Sequence, residues 1–150
     1  MLSRAGHDPA RVLRDAGLRA TPQRLAIVRE VLERNHPTAA EVFDAVRVQF
    51  PTMGLGTVYA TLNTMSDHGL LSVLPVADAL RFDANVAPHA NLICNRCGSI
   101  VDFDECTDVL EQLRARTSVG AGFAFAADRL DLYGTCAACA ASKVSTTTRA

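Results

Sequence analysis

Residues 38–73 read TAAEVFDAVRVQFPTMGLGTVYATLNTMSDHGLLSV, and this stretch decides the fold. Thr38-Ala39-Ala40-Glu41 has the composition of a capping box, in which a threonine hydroxyl and a glutamate carboxylate satisfy reciprocal backbone donors at a helix start. Val42, Phe43, Val46 and Phe50 then recur at helical spacing, and Pro51 ends that helix because it lacks a backbone donor. After the turn Thr52-Met53-Gly54-Leu55-Gly56 the pattern predicts another helix over residues 57–68, with Val58, Leu62 and Met65 inward and Gly69 closing it. Leu71-Ser72-Val73-Leu74 and Leu80-Arg81-Phe82-Asp83 alternate as short strands, separated by residues 75–79. Tightly joined helices followed by a hairpin predict a winged helix.

Upstream, Asp8-Pro9 and Thr21-Pro22 each pair an N-cap residue with a first-turn proline. The first start opens a short helix with Val12, Leu13 and Ala16 on its apolar face, stopped by Gly17. The second places Leu25, Val28 and Leu32 on one stripe with Ile27 and Val31 beside it, ending at Asn35-His36-Pro37. Downstream, residues 91–94 and 100–103 read as strands, and residues 107–116 as a helix whose Val109, Leu110 and Leu113 face a core. Phe123-Ala124-Phe125 and Leu130-Asp131-Leu132-Tyr133 supply further strand. The expected organisation is α+β, with a winged helix over residues 1–84, a second domain over 85–141 and a disordered tail over 142–150, where three threonines follow one another.

Apolar content of 49% with 21% charged residues marks a folded chain rather than a disordered one. The net charge of −1 creates no global basic field, but residues 1–34 hold seven arginines against four acidic residues. The first third is therefore the part suited to phosphate. No apolar run approaches the roughly 18 residues of a membrane helix, and residues 1–9 lack a secretory pattern, so a cytoplasmic address and no membrane partner are expected.

Four of the five cysteines form two C-x-x-C pairs, Cys94 with Cys97 and Cys136 with Cys139, separated by 38 residues. In a reducing compartment such pairs point to metal rather than disulfides, and Zn(II) prefers four thiolates in a tetrahedron. The gap accommodates a strand, a helix and a strand, so a structural zinc would join two ends of a small sheet. The rival is a thiol oxidoreductase, disfavoured because neither pair is expected at the head of a helix after a buried parallel strand. Cys106 is left over.

In the helix over 57–68, Thr57, Tyr59, Ala60, Thr61 and Asn63 form the outward face that would meet base edges in a major groove. At this point Leu18-Arg19-Ala20-Thr21-Pro22-Gln23-Arg24, His36-Pro37-Thr38-Ala39, Gly56-Thr57-Val58-Tyr59, Arg81-Phe82-Asp83 and the two C-x-x-C pairs resemble, in order and spacing, the ferric uptake regulator family. The resemblance spans residues 9–139. It implies a homodimeric transcription repressor, not an enzyme, with a C-terminal α/β dimerisation domain, binding a palindromic double-stranded DNA operator when a regulatory metal is loaded. It adds Arg19 and Arg24 to the DNA-facing set.

The resemblance also implies a regulatory site of His36, Asp83, His89, the residue at 91, and Asp102. Position 91 departs from the family pattern, since His89-Ala90-Asn91 carries an amide where a second imidazole is usual. Two imidazoles and hard oxygens suit Fe(II) or Mn(II). The paired aspartates at 83 and 102 resemble the peroxide-sensing branch, in which an iron-derived oxidant modifies a ligand imidazole, here His36 or His89. Asn63 instead resembles the iron-sensing branch, so a repressor of iron or zinc uptake that responds to metal occupancy alone is the alternative. A further histidine-rich site of many relatives is absent, with Pro88, Ala90 and Asp128 at its positions.

Overall fold

The computed structural model describes residues 8–122 and 129–144, which fall in two compact units, Met1–Ala87 and Pro88–Ala150. In the first unit, α1 (Pro9–Asp15) starts where the Asp8 carboxylate accepts the Ala10 N–H at 3.0 Å. It ends before Gly17, whose φ of +71° lies in the left-handed region that favours glycine. The Thr21 hydroxyl caps α2 (Pro22–Glu33) by accepting the Arg24 N–H at 3.3 Å. Both halves of the capping box form at α3 (Ala39–Val46): Thr38 Oγ1 accepts from Glu41 N at 3.2 Å, and Thr38 N donates to Glu41 Oε2 at 2.7 Å. Those contacts hold the Glu41 carboxyl below its usual range, the Thr38 backbone donor first.

Two helix boundaries differ from the pattern. α3 stops at Val46, one turn short of Phe50, although Phe50 N still donates to Val46 O at 2.9 Å. Pro51 disfavours α geometry in the residue before it, and the last turn opens. α4 (Leu55–Asp67) starts earlier than residue 57, at Gly54, without a side-chain cap. Leu13, Ile27, Val28, Val42, Val58, Leu62, Met65 and Phe82 are essentially sealed from solvent and make one core from all four helices and the hairpin. Each such side chain contributes roughly 1.5–3 kcal/mol of burial.

The hairpin pairs β1 (Ser72–Val76) antiparallel with β2 (Ala79–Asp83), from Ser72 opposite Asp83 to Val76 opposite Ala79. The strands extend into residues 75–79, read from sequence as loop. Pro75 sits exposed inside β1, a strand that among the described residues pairs on one side only, so a missing donor is tolerated. Ala77 takes the turn with a φ of +53°.

The second unit is a sheet ordered β4-β3-β5, with β3 (Ala90–Cys94) antiparallel to β4 (Ile100–Phe103) and parallel to β5 (Leu130–Gly134). α5 (Thr107–Ala121) runs past residue 116 to Gly122, whose φ is +60°. α6 (Ala137–Val144) enters the segment read as tail, its run of alanines favouring helix. The expected strand at 123–125 and residues 145–150 lie outside the described residues.

Among the described residues of this unit, Ala90, Cys106 and Leu110 pack with Leu130, and Ile93 and Ile100 are buried in the sheet. Val109 and Leu113, read as core, are 63% and 55% exposed. Leu92, Val101 and Leu132 sit in register across the three strands and are exposed as well. A helical stripe says which residues are apolar, not whether their cover comes from the same chain, and apolar patches of this kind mark association surfaces. No helix among the described residues is long and apolar enough to cross a membrane. Leu62→Ala in the sealed core of the first unit is expected to cost about 2–5 kcal/mol, measured by urea denaturation followed by circular dichroism.

Candidate metal centres and DNA-facing helix

Parallel strands end on the same side of a sheet, and β3 and β5 end together with Cys94 opposite Gly134. Each is followed at once by a C-x-x-C turn, so knuckles 38 residues apart in sequence meet at one edge. Asn95 N donates to Gly134 O at 2.9 Å and ties the first turn to the second strand. Gly98, at a φ of +69°, lets the first turn fold back and donate to Cys94 O at 2.9 Å. Arg96 spans the knuckles, its guanidinium donating to the Cys139 carbonyl.

The sulfurs of Cys94, Cys97, Cys136 and Cys139 all lie within 4.8 Å of one another. Cys97 and Cys136 Sγ are 3.8 Å apart, far beyond a disulfide bond. Tetrahedral Zn–S bonds of about 2.3 Å place sulfurs about 3.8 Å apart, so the donor set fits Zn(II). Backbone amides point at the sulfurs. Cys94 Sγ accepts from Cys136 N at 3.3 Å and Arg96 N at 3.4 Å, and such donors, Cys136 first, pull its thiol down to about 6. Ser99 likewise lowers Cys97, whereas hydrogen bonding with the Cys136 thiol pushes Cys139 up to about 12. Four crowded thiols cannot all ionise without a cation to share, and a divalent ion supplies it.

Cys136 does precede a helix, α6, and follows a strand, β5, that is parallel to its neighbour. The thioredoxin-like context is nevertheless incomplete, because β5 is not a buried strand, with Leu132 49% and Tyr133 58% accessible. Four convergent sulfurs, not one pair, define the site. Cys106 lies apart, its thiol donating to Phe103 O at 3.2 Å.

The residues expected to bind the regulatory metal cluster within each unit. In the first, His36 and Asp83 are sealed, 1% and 0% exposed, with Nε2 3.5 Å from Asp83 Oδ2. His36 has a φ of +50°, a conformation that costs a non-glycine residue energy and persists only when its surroundings impose it. They do so here. Arg81 Nη1 donates to His36 O at 3.0 Å, Phe82 N donates to Pro37 O at 2.9 Å, and Thr38 bridges to Arg81. Asn35 Oδ1 lies 2.9 Å from His36 Nδ1, which orients the ring so that Nε2 faces Asp83.

In the second unit His89, Asn91 and Asp102 come together. A ring nitrogen of His89 and a carboxylate oxygen of Asp102 are within 4.8 Å, and His89 Nε2 is 3.3 Å from Asn91 Oδ1. Asn91 stands opposite Asp102 on one side and Asp131 on the other. Its Nδ2 donates to Asp131 Oδ1 at 3.1 Å. Strand alternation places Asp131 on some face of β5, but its register against β3 is a non-local fact, and sequence reasoning missed the residue.

On α4, Thr57, Tyr59, Ala60 and Asn63 are exposed, as expected of a surface that reads DNA. Thr61 is not: it is 6% exposed and its hydroxyl donates to Thr57 O at 2.9 Å. It lies between Val58 and Met65 on the helix net, and the buried stripe is wider than three large apolar residues suggested. Arg19, Thr21, Gln23 and Arg24 face Thr57, Ala60 and Thr64 across a cleft of about 350 Å³. Arg24 Nη1 donates to Arg19 O at 3.3 Å, so the loop before α2 holds both arginines beside α4.

The ferric uptake regulator family model matches residues 15–133. The chain belongs to the ferric uptake regulator family. It is 38% identical over 130 residues to the peroxide-responsive repressor PerR of Staphylococcus epidermidis, covering 85% of each chain. It is 39% identical over 130 residues to the peroxide operon regulator of Bacillus subtilis, covering 85% of this chain and 88% of that one. Among solved structures it resembles the Vibrio cholerae ferric uptake regulator, 30% identical with a TM-score of 0.66, over 86% of this chain and all of the other. The fold is shared with the manganese-containing ferric uptake regulator of Pseudomonas aeruginosa, at a TM-score of 0.71 and 24% identity, over 87% and 99% of the chains. Members of this family are transcription regulators that bind DNA as dimers.

Cys136→Ser is expected to remove bound zinc, from about one ion per chain to none by elemental analysis, and to unfold the second unit. A strong chelator should reproduce that loss in the unsubstituted protein.

Proposed function

We propose that this protein is a metal-dependent repressor that releases its operator when hydrogen peroxide oxidises a regulatory site of His36, Asp83, His89 and Asp102. The observation that carries the reading is the chemistry of two His/Asp groups, one in each unit, with His36, Asp83 and His89 buried and Asp102 half-buried. Each offers an imidazole nitrogen and a carboxylate oxygen, a borderline-hard donor set suited to Fe(II) or Mn(II) and distinct from the soft cluster of four thiols. The identity to two regulators named for peroxide supports the same response.

A single ion taking donors from both units would set their relative angle and so the spacing of two DNA-reading heads. Coupling of this sort amounts to about 1–3 kcal/mol. Thr57, Tyr59, Ala60 and Asn63 would meet base edges, while Arg19 and Arg24 neutralise phosphates. The exposed row of Leu92, Val101 and Leu132, with Val109 and Leu113 on α5, supports a homodimer, and two-fold symmetry of the protein calls for a palindromic operator. The protein would act in the cytoplasm, by binding rather than by turnover.

Fe(II), held by these residues, would supply one-electron reduction of peroxide, and the imidazoles of His36 and His89 would be the oxidisable side chains among its ligands. Mn(II) lacks that reactivity at the same donors. In this reading His36, pinned by Arg81 and Asn35, is oriented before any ion arrives. An exposed Asn63 favours the second reading, a repressor of metal uptake that responds to occupancy alone.

Operator binding, followed by fluorescence anisotropy, is expected with either Fe(II) or Mn(II). Peroxide should abolish it only in the Fe(II) form, with one added oxygen on His36 or His89 by mass spectrometry. Peroxide-resistant binding with intact histidines in the Fe(II) form would overturn peroxide sensing and leave the occupancy sensor.

A further inference from the structure

Asn91 is 1% exposed in the middle strand of the second sheet, flanked in register by Asp102 and Asp131. A buried amide normally turns either end towards a neighbour, but here the choice is forced. A carboxylate only accepts, so the Asn91 nitrogen must face Asp131, to which it donates at 3.1 Å. Asp131 is itself fixed, with its other oxygen 3.0 Å from the Arg129 guanidinium and its side chain 13% exposed. The Asn91 oxygen is therefore aimed at His89, 3.3 Å from Nε2. Two donors at right angles on one divalent ion, with bonds of about 2.1–2.3 Å, stand about 3.0–3.3 Å apart.

We propose that Asp131 locks the Asn91 amide so that its oxygen serves as a ligand of the regulatory ion, biasing the site towards oxygen-loving Mn(II) and Fe(II). The inference rests on the regulatory site proposed above and adds a ligand and a positioning residue to it. Asp131 acts through Asn91 and does not touch the ion. An amide oxygen is a harder and weaker donor than an imidazole, so its presence lowers affinity for Co(II) and Zn(II) more than for Mn(II).

The test uses full-length, zinc-replete protein titrated with Mn(II), followed by the electron paramagnetic resonance of free ion, and with Co(II), followed by visible absorption. Asn91→Ala and Asp131→Ala are each expected to weaken Mn(II) binding at least about tenfold, the range for lost outer-shell partners. The double variant should be no weaker than either single one, because Asp131 acts through Asn91 alone. Asn91→His should shift the preference towards Co(II) by about tenfold or more, with band positions moved by the added nitrogen donor. Unchanged Mn(II) binding in Asn91→Ala, or additive losses in the double variant, would overturn the proposal. If Asp131→Ala fails to retain its structural zinc, the Asn91→His ratio decides: an unchanged Mn(II)-to-Co(II) preference overturns it. His89→Ala separates the two levels. Lost binding there with full binding in Asn91→Ala sinks this inference alone, whereas full binding in both sinks the regulatory site.

Discussion

The second unit depends on parallel pairing between β3 and β5. That pairing delivers Cys94-x-x-Cys97 and Cys136-x-x-Cys139 to the same sheet edge and places four sulfurs within 4.8 Å. Without an ion the arrangement is unfavourable, since ionised thiols repel and protonated ones compete for a few hydrogen bonds. With an ion the same crowding becomes the main source of stability. Structural zinc contributes roughly 10–16 kcal/mol of apparent binding energy, against roughly 5–15 kcal/mol of total stability for an ordinary domain. Among the described residues, the buried apolar side chains there are small or few, Ala90, Ile93, Ile100, Cys106 and Leu110 with Leu130 packed beside them.

The first unit is built the other way. Its core draws on four helices and a hairpin, and needs no staple. That surplus can hold strain where function needs it. His36 sits at a positive φ, which costs on the order of 1–3 kcal/mol. Backbone pairing of Pro37 and Thr38 with β2, together with the Arg81 guanidinium, offsets the cost. The same contacts put His36 beside Asp83, so the strand that completes the wing also sets a buried imidazole against a buried carboxylate.

What the sequence made legible was what local chemistry determines. Asp8, Thr21 and Thr38 cap their helices through neighbours two or three residues away, and each contact is present. The C-x-x-C pairs announce a cluster because the motif itself carries two of the four donors. Three failures have a common cause. Thr61 turned inward because the width of a buried stripe depends on what packs against it. Val109 and Leu113 stayed exposed because no cover for them comes from the described residues. Asp131 went unnoticed because its partnership with Asn91 depends on register between strands 40 residues apart. Periodicity names a face of a helix or strand; it does not say what stands opposite.

The thiol cluster and the proposed regulatory site would have to avoid exchanging ions, and their donor atoms separate them. For any N/O site the intrinsic order favours zinc and copper over iron and manganese, so a regulatory site rich in imidazole would fill with the wrong metal. Four thiolates at one end of the sheet provide a much stronger sink for zinc. At the other end, the row Asp102-Asn91-Asp131 supplies oxygen where an imidazole would raise zinc affinity. The departure at position 91 is then a change in selectivity rather than a lost ligand. Asp131 satisfies the Asn91 nitrogen, as any buried amide requires, and that pairing leaves the amide oxygen facing His89.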